Sequence, residues 1–360
     1  MTESIGTVVE RLEATATASR EELALLLGAD DGHTAALYAA ADRVRAAAVG
    51  DEVHLRGLIE FSNYCRRNCF YCGLRRGRRD LSRYRMSPAE ILETARRAAD
   101  LGFRTLVLQS GEDAAYPAEA LAGVVRDVKA ESDVAVTLSI GERPVDDYRL
   151  LREAGADRYL LRIETSIPQL YRKLHPDSSW HRRLLCLHSL RSLGYQIGSG
   201  VMIGLPGQTL DMLADDLLFL QGLELDMIGV GPFIPHPSTP LGRAPRATLA
   251  LSLRFFACMR LLCPEALIPA TSALGALHPE GRQMALQVGA DVIMPNVTPS
   301  RYRQRYELYP GKICVGDDAA ECRSRVDEMV VSLGRRVADD RGDSRRLNRD
   351  TRGGRERARA

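Results

Sequence analysis

From residue 51 onward, short apolar runs alternate with longer stretches in which apolar residues recur every three or four positions. The short runs are strand-sized and the longer ones have helical periodicity. Strands are predicted at His54–Phe61, Thr105–Gln109, Ala135–Ile140, Tyr159–Ile163, Gly198–Ile203, Met227–Gly231, Ala266–Ala270 and Asp291–Met294. Helices are predicted near 88–101, 116–131, 145–154, 180–193, 209–221, 247–262, 279–287 and 322–333. Ser87, Pro88 and Glu90 mark a helix start, as N-cap, N1 and N3 residues. The first fifty residues read differently. Ser19 and Glu22 form a capping box before Leu23–Leu27, and an Ala-rich helix follows over 34–48. Repeated strand–helix pairs call for parallel pairing, and eight of them predict an α/β fold: a complete (β/α)8 TIM-type barrel over 51–334 behind a helical extension, 1–50. An open doubly wound sheet would instead carry a Gly-rich phosphate turn after its first strand, where this chain has a cysteine loop.

Composition changes this picture in two places. The chain has 360 residues, 45% of them hydrophobic, enough for a large core. Its net charge of +2 hides a basic end: residues 335–360 hold ten Arg against five acids, leaving the first 334 near −3. That segment is poor in apolar residues and is predicted to be a disordered, solvated tail, and without interleaved aromatic residues it is not expected to bind nucleic acid. Eight cysteines could suggest disulfides, but three cluster in one loop, while Cys186, Cys258 and Cys263 fall in helical or helix-end sequence. This placement points to a reducing cytoplasm. Neither a secretory leader nor a run of uncharged apolar residues long enough to span a membrane is visible.

Cys65, Cys69 and Cys72 occupy the run Phe61–Gly73 with spacing C-x3-C-x2-C. A structural zinc or iron–sulfur site is closed by four ligands, whereas three thiolates leave one iron of a 4Fe-4S cluster open to a small molecule. A zinc knuckle would need a fourth ligand nearby, and the nearest His, His54, lies in the preceding strand. Polar residues gather at the predicted C-terminal strand ends, where a barrel carries its chemistry: Gln109–Asp113, Thr137–Glu142, Arg162–Thr165, Thr271–Ser272 and Asn296–Thr298.

The cysteine spacing, with Tyr71 before the last Cys, resembles the signature of the radical S-adenosylmethionine (SAM) superfamily. The resemblance implies that the open iron chelates SAM and that one electron from a reductant splits its sulfonium, giving methionine and a 5′-deoxyadenosyl radical. Gly111 and Glu112 resemble the motif that holds the SAM amino group, and Asp113 completes that run. Glu164, assisted by Ser139, can accept from ribose hydroxyls, and Arg183 can grip the carboxylate through two parallel bonds. Gly200–Thr209 resembles the strand-five motif lying along adenine.

Longer runs are similar to a single family. Ile59–Arg76, Arg83–Met86, Leu108–Asp113, Gly155–Arg162, Gly231–Pro237, Ile293–Asn296 and Leu308–Cys314 resemble the HydE maturases of FeFe hydrogenases, over about residues 20–320. This implies work on a small sulfur-containing or organometallic iron–cysteine precursor. By matching position the substrate side would comprise Arg56, Gln109, Ser110, Thr137, Arg158, Arg162, Thr271, Ser272, Tyr306 and Tyr309. Arg158 and Arg162 are four apart, so on a strand they share a face suited to anions, with barrel-bottom structural arginines as the competing reading. Expected partners are an electron donor such as flavodoxin or ferredoxin and the other hydrogenase maturases. Two departures stand out. Cys314 and Cys322 resemble the start of a second cysteine cluster, but Arg325 occupies its third position, so no complete second cluster is expected. Ile163 stands where some relatives have His. A biotin-synthase-like sulfur inserter would need cysteines on barrel strands, and a methylornithine-synthase-like mutase would not carry the runs 231–237 and 308–314. A non-catalytic iron–sulfur scaffold would not need Glu164 and Arg183.

Overall fold

The computed structural model describes residues 4–316 and 318–346, so most of the predicted tail, 347–360, lies outside the described residues. Three helices come first: α1 (Ile5–Thr15), α2 (Arg20–Gly28) and α3 (Thr34–Val49). Then follow β1 (Glu52–Ser62), α4 (Pro88–Asp100), β2 (Thr105–Ser110), α5 (Ala118–Glu131), β3 (Ala135–Ser139), α6 (Val145–Glu153), β4 (Arg158–Leu160), α7 (Pro168–Leu174) and α8 (Trp180–Ser192). The second half runs β5 (Gln196–Ser199), β6 (Met202–Ile203), α9 (Leu210–Gly222), β7 (Met227–Ile228), β8 (Gly231–Pro232), α10 (Leu249–Leu262), α11 (Ser272–Leu277), α12 (Gly281–Gln287), β9 (Val292–Ile293), α13 (Ser300–Arg303), α14 (Ala319–Ser332) and β10 (Arg336–Val337).

Local signals act where the sequence places them. The Ser19–Glu22 and Ser87–Glu90 capping boxes both form, the latter with Pro88 opening the helix. The amino-terminal helices are not a separate unit. Val8, Leu12, Leu23, Leu26 and Leu37 are buried in the same core as the barrel helices, and Arg20 donates to Asp215 across 2.7 Å.

The strands are parallel throughout, in the order β10, β1, β2, β3, β4, β5, β7, with β9 also pairing β1. Registers Leu106↔Val136, Leu138↔Tyr159 and Tyr159↔Ile197 align apolar side chains from neighbouring strands. The predicted complete barrel needs correction. Its seventh strand, 266–270, makes only single bridges, Met227↔Leu267 and Pro269↔Val292. Pro269 has no N–H to donate, so no regular ladder can run through it. As a ladder the sheet is therefore open between β7 and β9. No described helix is long and apolar enough to cross a membrane.

The expected boundary of a loose tail at residue 335 also needs correction. Arg335 is buried and donates to the carbonyls of Leu286, Ala290 and Glu52 at 3.0–3.1 Å. β10 pairs with the first residues of β1. The Thr105 hydroxyl donates to the Arg341 carbonyl at 2.7 Å, and the buried Ser344 N–H donates to Gln196 Oε1 at 2.9 Å. Residues 335–346 thus cover the end of the sheet where strands begin. Composition misled here because Arg335 spends its donors on backbone carbonyls and Arg336 and Arg341 pair with the carboxylates of Glu52 and Asp133.

Candidate functional site at the carboxyl ends of the strands

β1 ends at Ser62, and the cysteine loop starts at once. Asn63 pins its base: the side-chain amide donates to Ser82 O at 2.9 Å and Arg305 O at 2.7 Å, while its carbonyl accepts from Tyr84 N at 2.7 Å. The loop then lies along the end of β2. The Gly111 N–H donates to Ser62 O, and the Arg66 N–H to Glu112 O at 2.9 Å. A Cβ on Gly111 would sit 2.2 Å from Tyr64 O, so the loop can approach only because that residue is glycine. Asp113 closes the arrangement, accepting from the Ser62 hydroxyl at 2.6 Å and from Arg85 at 2.7 Å.

All three thiols are half-buried in this loop. Cys65 Sγ accepts from the N–H groups of Arg67 and Glu112, and Cys72 Sγ from that of Leu74, each at 3.4 Å. Burial pushes the Cys72 thiol up to about 12 and raises Cys65 and Cys69, the neighbouring thiols adding to the rise at Cys69. Backbone N–H groups aimed at sulfur, with no fourth thiol in the loop, suit a cluster that keeps one iron open. Tyr71 donates its hydroxyl to His175 Nε2 at 2.9 Å, while His175 Nδ1 lies 2.9 Å from Tyr171 O. Burial holds His175 neutral, with a pKa near 3.

The residues proposed for SAM surround this loop. Glu112 is already engaged, by Arg67 at 2.6 Å and Arg66 at 3.0 Å, which leaves backbone carbonyls rather than its carboxylate for an ammonium. Arg183 donates to Glu142 at 2.7 Å and to Arg162 O at 2.8 Å. Glu142, whose side chain is fully buried, also pairs with Arg67 at 2.8 Å. This anchor was not singled out in the sequence, although it ends the polar stretch after the third strand. Glu164 has a left-handed backbone, φ 69°, and its Oε2 is buried without a hydrogen bond. Arg162 Nη2 approaches that oxygen at 3.1 Å but donates instead to Val201 O at 2.7 Å. Ser139 aligns with Gln109 at the strand ends.

The remaining substrate-side candidates differ in how far their polar atoms are satisfied. Thr137 Oγ1, Arg162 Nε and Thr271 Oγ1 are buried without partners. Together with Glu164 Oε2 they are what a polar ligand would satisfy. Ser272 and Tyr309 share a hydrogen bond of 2.5 Å. Tyr306 is buried and hydrogen-bonds Gln109. Ser110 donates to Gly111 O at 2.7 Å. Two residues missing from the sequence-based set join this group. Lys312 pairs with the buried Glu60 and lies 5.0 Å from the Tyr306 ring centre, and Asn296 donates to Glu60 at 2.7 Å. Both lay inside the family-like runs, so the signal was present.

Arg56 and Arg158 are not here. Arg158 is the first residue of β4 and faces the opposite end. There it donates to Thr105 Oγ1 at 2.8 Å, Gln196 Oε1 at 3.1 Å, Arg341 O at 2.6 Å and Asp343 Oδ1 at 2.7 Å. Arg56 contacts Met227 Sδ and Gly342 O beside it. β4 ends at Leu160, so strand alternation does not relate the two arginines, and four extended residues span roughly 13 Å, the depth of the sheet.

The sequence profile of the Radical SAM superfamily matches residues 59–220. The "[FeFe] hydrogenase maturase subunit HydE" of Thermotoga maritima is 51% identical over 339 residues, covering 94% of this chain and 96% of the relative. The 3-methylornithine synthase of Methanosarcina acetivorans is 32% identical over 268 residues, 73% and 75% of the two chains. Among solved structures, methylornithine synthase (PylB) superposes with TM-score 0.81 at 26% identity, covering 93% and 97%. HydG, a maturase of the FeFe hydrogenase, superposes with TM-score 0.80 over 93% of this chain and 76% of its own. At 19% identity, that likeness is one of fold.

Proposed function

The chain belongs to the radical SAM superfamily and, within it, to the family of the HydE maturase of FeFe hydrogenases, and from that premise we propose which residues do the work and on what. It is a radical SAM enzyme of hydrogenase-maturation type that uses a 4Fe-4S cluster and SAM. Cys65, Cys69 and Cys72 would hold the cluster. When bound, it supplies the single electron that splits the SAM carbon–sulfur bond and yields a 5′-deoxyadenosyl radical. Tyr71, Gly111, Ser139, Glu164 and Arg183 would seat SAM. Arg183 is held ready by Glu142, and Glu164 would offer a ribose hydroxyl an oxygen that makes no hydrogen bond within the chain. Glu112 would act by fixing Arg67 beside the loop rather than by touching SAM.

The substrate we propose is a small, anionic, sulfur-containing or iron–cysteine precursor of the hydrogenase di-iron centre. The observation carrying this reading is that Thr137 Oγ1, Arg162 Nε and Thr271 Oγ1 are buried without hydrogen-bond partners, as is Glu164 Oε2 apart from its ion pair with Arg162. Thr137, Arg162, Thr271, Ser272, Tyr306 and Tyr309 would contact it, with Gln109 and Ser110 on the cluster side. Single bridges through 266–270 would complete the wall of this chamber as an eight-stranded barrel. An acidic electron carrier such as flavodoxin or ferredoxin, the other maturases and a cytoplasmic setting complete the proposal. The division we propose is helices to Val49, barrel to 334 and a basal segment from 335.

The test is an anaerobic maturation assay with the remaining maturases and unmatured FeFe hydrogenase. Arg162→Met should retain abortive SAM cleavage and lose hydrogenase activation. Wild-type protein that cleaves SAM but never activates the hydrogenase would overturn this substrate reading and favour a methylornithine-type rearrangement.

A further inference from the structure

Two cysteines outside the cluster loop meet in a setting that the SAM chemistry does not use. Cys314 ends the loop that carries Tyr306, Tyr309 and Lys312, and Cys322 lies in the first turns of α14. The Asp318–Glu321 capping box fixes that helix start, and Cys322 is 1% exposed. Cys314 is half-buried, and its φ of 57° is a left-handed conformation that side chains other than Gly and Asn seldom hold. The buried Arg303 keeps it there, donating to Cys314 O at 2.8 Å and to Thr298 O at 2.8–3.0 Å. The two thiols hydrogen-bond each other, and the Asn296 N–H is directed to the Cys322 sulfur. That hydrogen bond and burial raise the Cys322 pKa. Arg282 is a further charged residue near the Cys322 sulfur, and Arg325 follows three residues later on α14. Among the described residues no third Cys, His, Asp or Glu gathers here to make a metal site.

We propose that Cys314 and Cys322 form a reversible dithiol–disulfide couple that controls the substrate-side loop. The control it exerts rests on the substrate chamber proposed above. Lys312 and Ser272, which belong to that chamber, share a cavity of about 20 Å³ with Cys314 and Asn296. A bond between the two sulfurs draws Cys314 toward α14 and pulls on Lys312, two residues away, and on its pairing with Glu60. The oxidant is a low-molecular-weight disulfide. The Cys314 thiolate attacks one of its sulfurs, the small disulfide bond breaks, and one small thiolate leaves. Cys322 then gives up its proton and attacks the Cys314 sulfur, expelling the second small thiolate. Both leaving groups end as thiols, so two electrons and two protons pass from the pair to the oxidant.

Cluster-loaded full-length protein is equilibrated anaerobically in mixtures of reduced and oxidised glutathione, alkylated, and analysed by peptide mass spectrometry. Cys314 and Cys322 are expected to lose alkylation together, with a bridged peptide two hydrogens lighter. SAM cleavage should persist while maturation falls by roughly tenfold or more, the scale of losing one charge-assisted contact. Dithiothreitol should restore it. Cys314→Ser should match reduced wild type in maturation and be insensitive to oxidised glutathione. Cys322→Ser, with its partner retained, should trap Cys314 as a glutathione adduct. A pair that stays fully alkylated in oxidised glutathione overturns the proposal. So does iron above about four atoms per chain that disappears in Cys314→Ser, since the pair would then hold metal. Failure of reduced wild type to mature hydrogenase would count against the maturase substrate, and the bridged peptide would still decide the couple.

Discussion

Arg158 opens β4 and Arg162 lies two residues past its end, and the two arginines live in opposite circumstances. At the base, Arg158 uses every nitrogen, to Gln196, Thr105, Arg341, Gly342 and Asp343. At the mouth, Arg162 makes one hydrogen bond, to Val201 O, and keeps a buried Nε unpartnered. A buried guanidinium with all partners inside the chain is part of the scaffold. One with partners missing is waiting for something the chain does not supply. The same distinction separates Glu142, gripped by three arginines, from Glu164, whose Oε2 meets only Arg162 and without a hydrogen bond.

Changes at the mouth should therefore cost chemistry, and changes at the base should cost stability. The largest effect is expected from replacing Cys65, Cys69 and Cys72 together with Ala. Cluster absorbance near ~400 nm and SAM cleavage should vanish, with the circular dichroism of the barrel kept. Arg158→Met comes next. It removes a buried charge partner from Asp343 and a donor from the carbonyls of Arg341 and Gly342, and should destabilise the fold by about 3–5 kcal/mol, read as a lower urea midpoint. Truncation after Gly334 should do at least as much damage. A truncated protein as stable as wild type would break the comparison. Glu164→Ala and Arg183→Ala should weaken SAM binding by about 1.5–3 kcal/mol, or roughly 10- to 150-fold, in titrations of cluster-loaded protein. Unchanged affinity in both would remove them from the site.

The smallest effect concerns His175. Burial depresses its pKa to about 3, so the folded protein refuses a proton that the unfolded chain accepts near 6.5. Stability should be full above that value and fall by roughly 1 kcal/mol over the first pH unit below it. His175→Phe should flatten that slope, measured by urea denaturation between pH 5 and 7.

Much of this contrast could be read before any coordinates. Helix starts at Ser19 and Ser87 and the alternation of strands and helices depend on local patterns, and they appear where expected. The cysteine loop and the polar strand ends carry their chemistry in residue type. What could not be read is position along a strand, because a period of two reports the face and not the end. The short helices α7, α11 and α13 escaped because few residues leave little periodicity to detect. Segment 266–270 looked like a strand by its apolar run, and one proline reduced it to bridges. Arg335 and Arg345 looked solvated, since composition cannot say that backbone carbonyls await them.

The closure of the base has a consequence for how the protein is made. The tail groups that satisfy Arg158 lie 183–185 residues downstream, and the one that meets Arg56 lies 286 downstream. At about 5–20 residues per second, Arg158 leaves the ribosome roughly 10–40 s before its last ligands exist. During that interval Arg158 can meet Thr105 and Gln196, but its Nη2 has no partner in the floor and must stay open to water or to a chaperone. The floor becomes dry only when the final turn of translation delivers Arg341–Asp343.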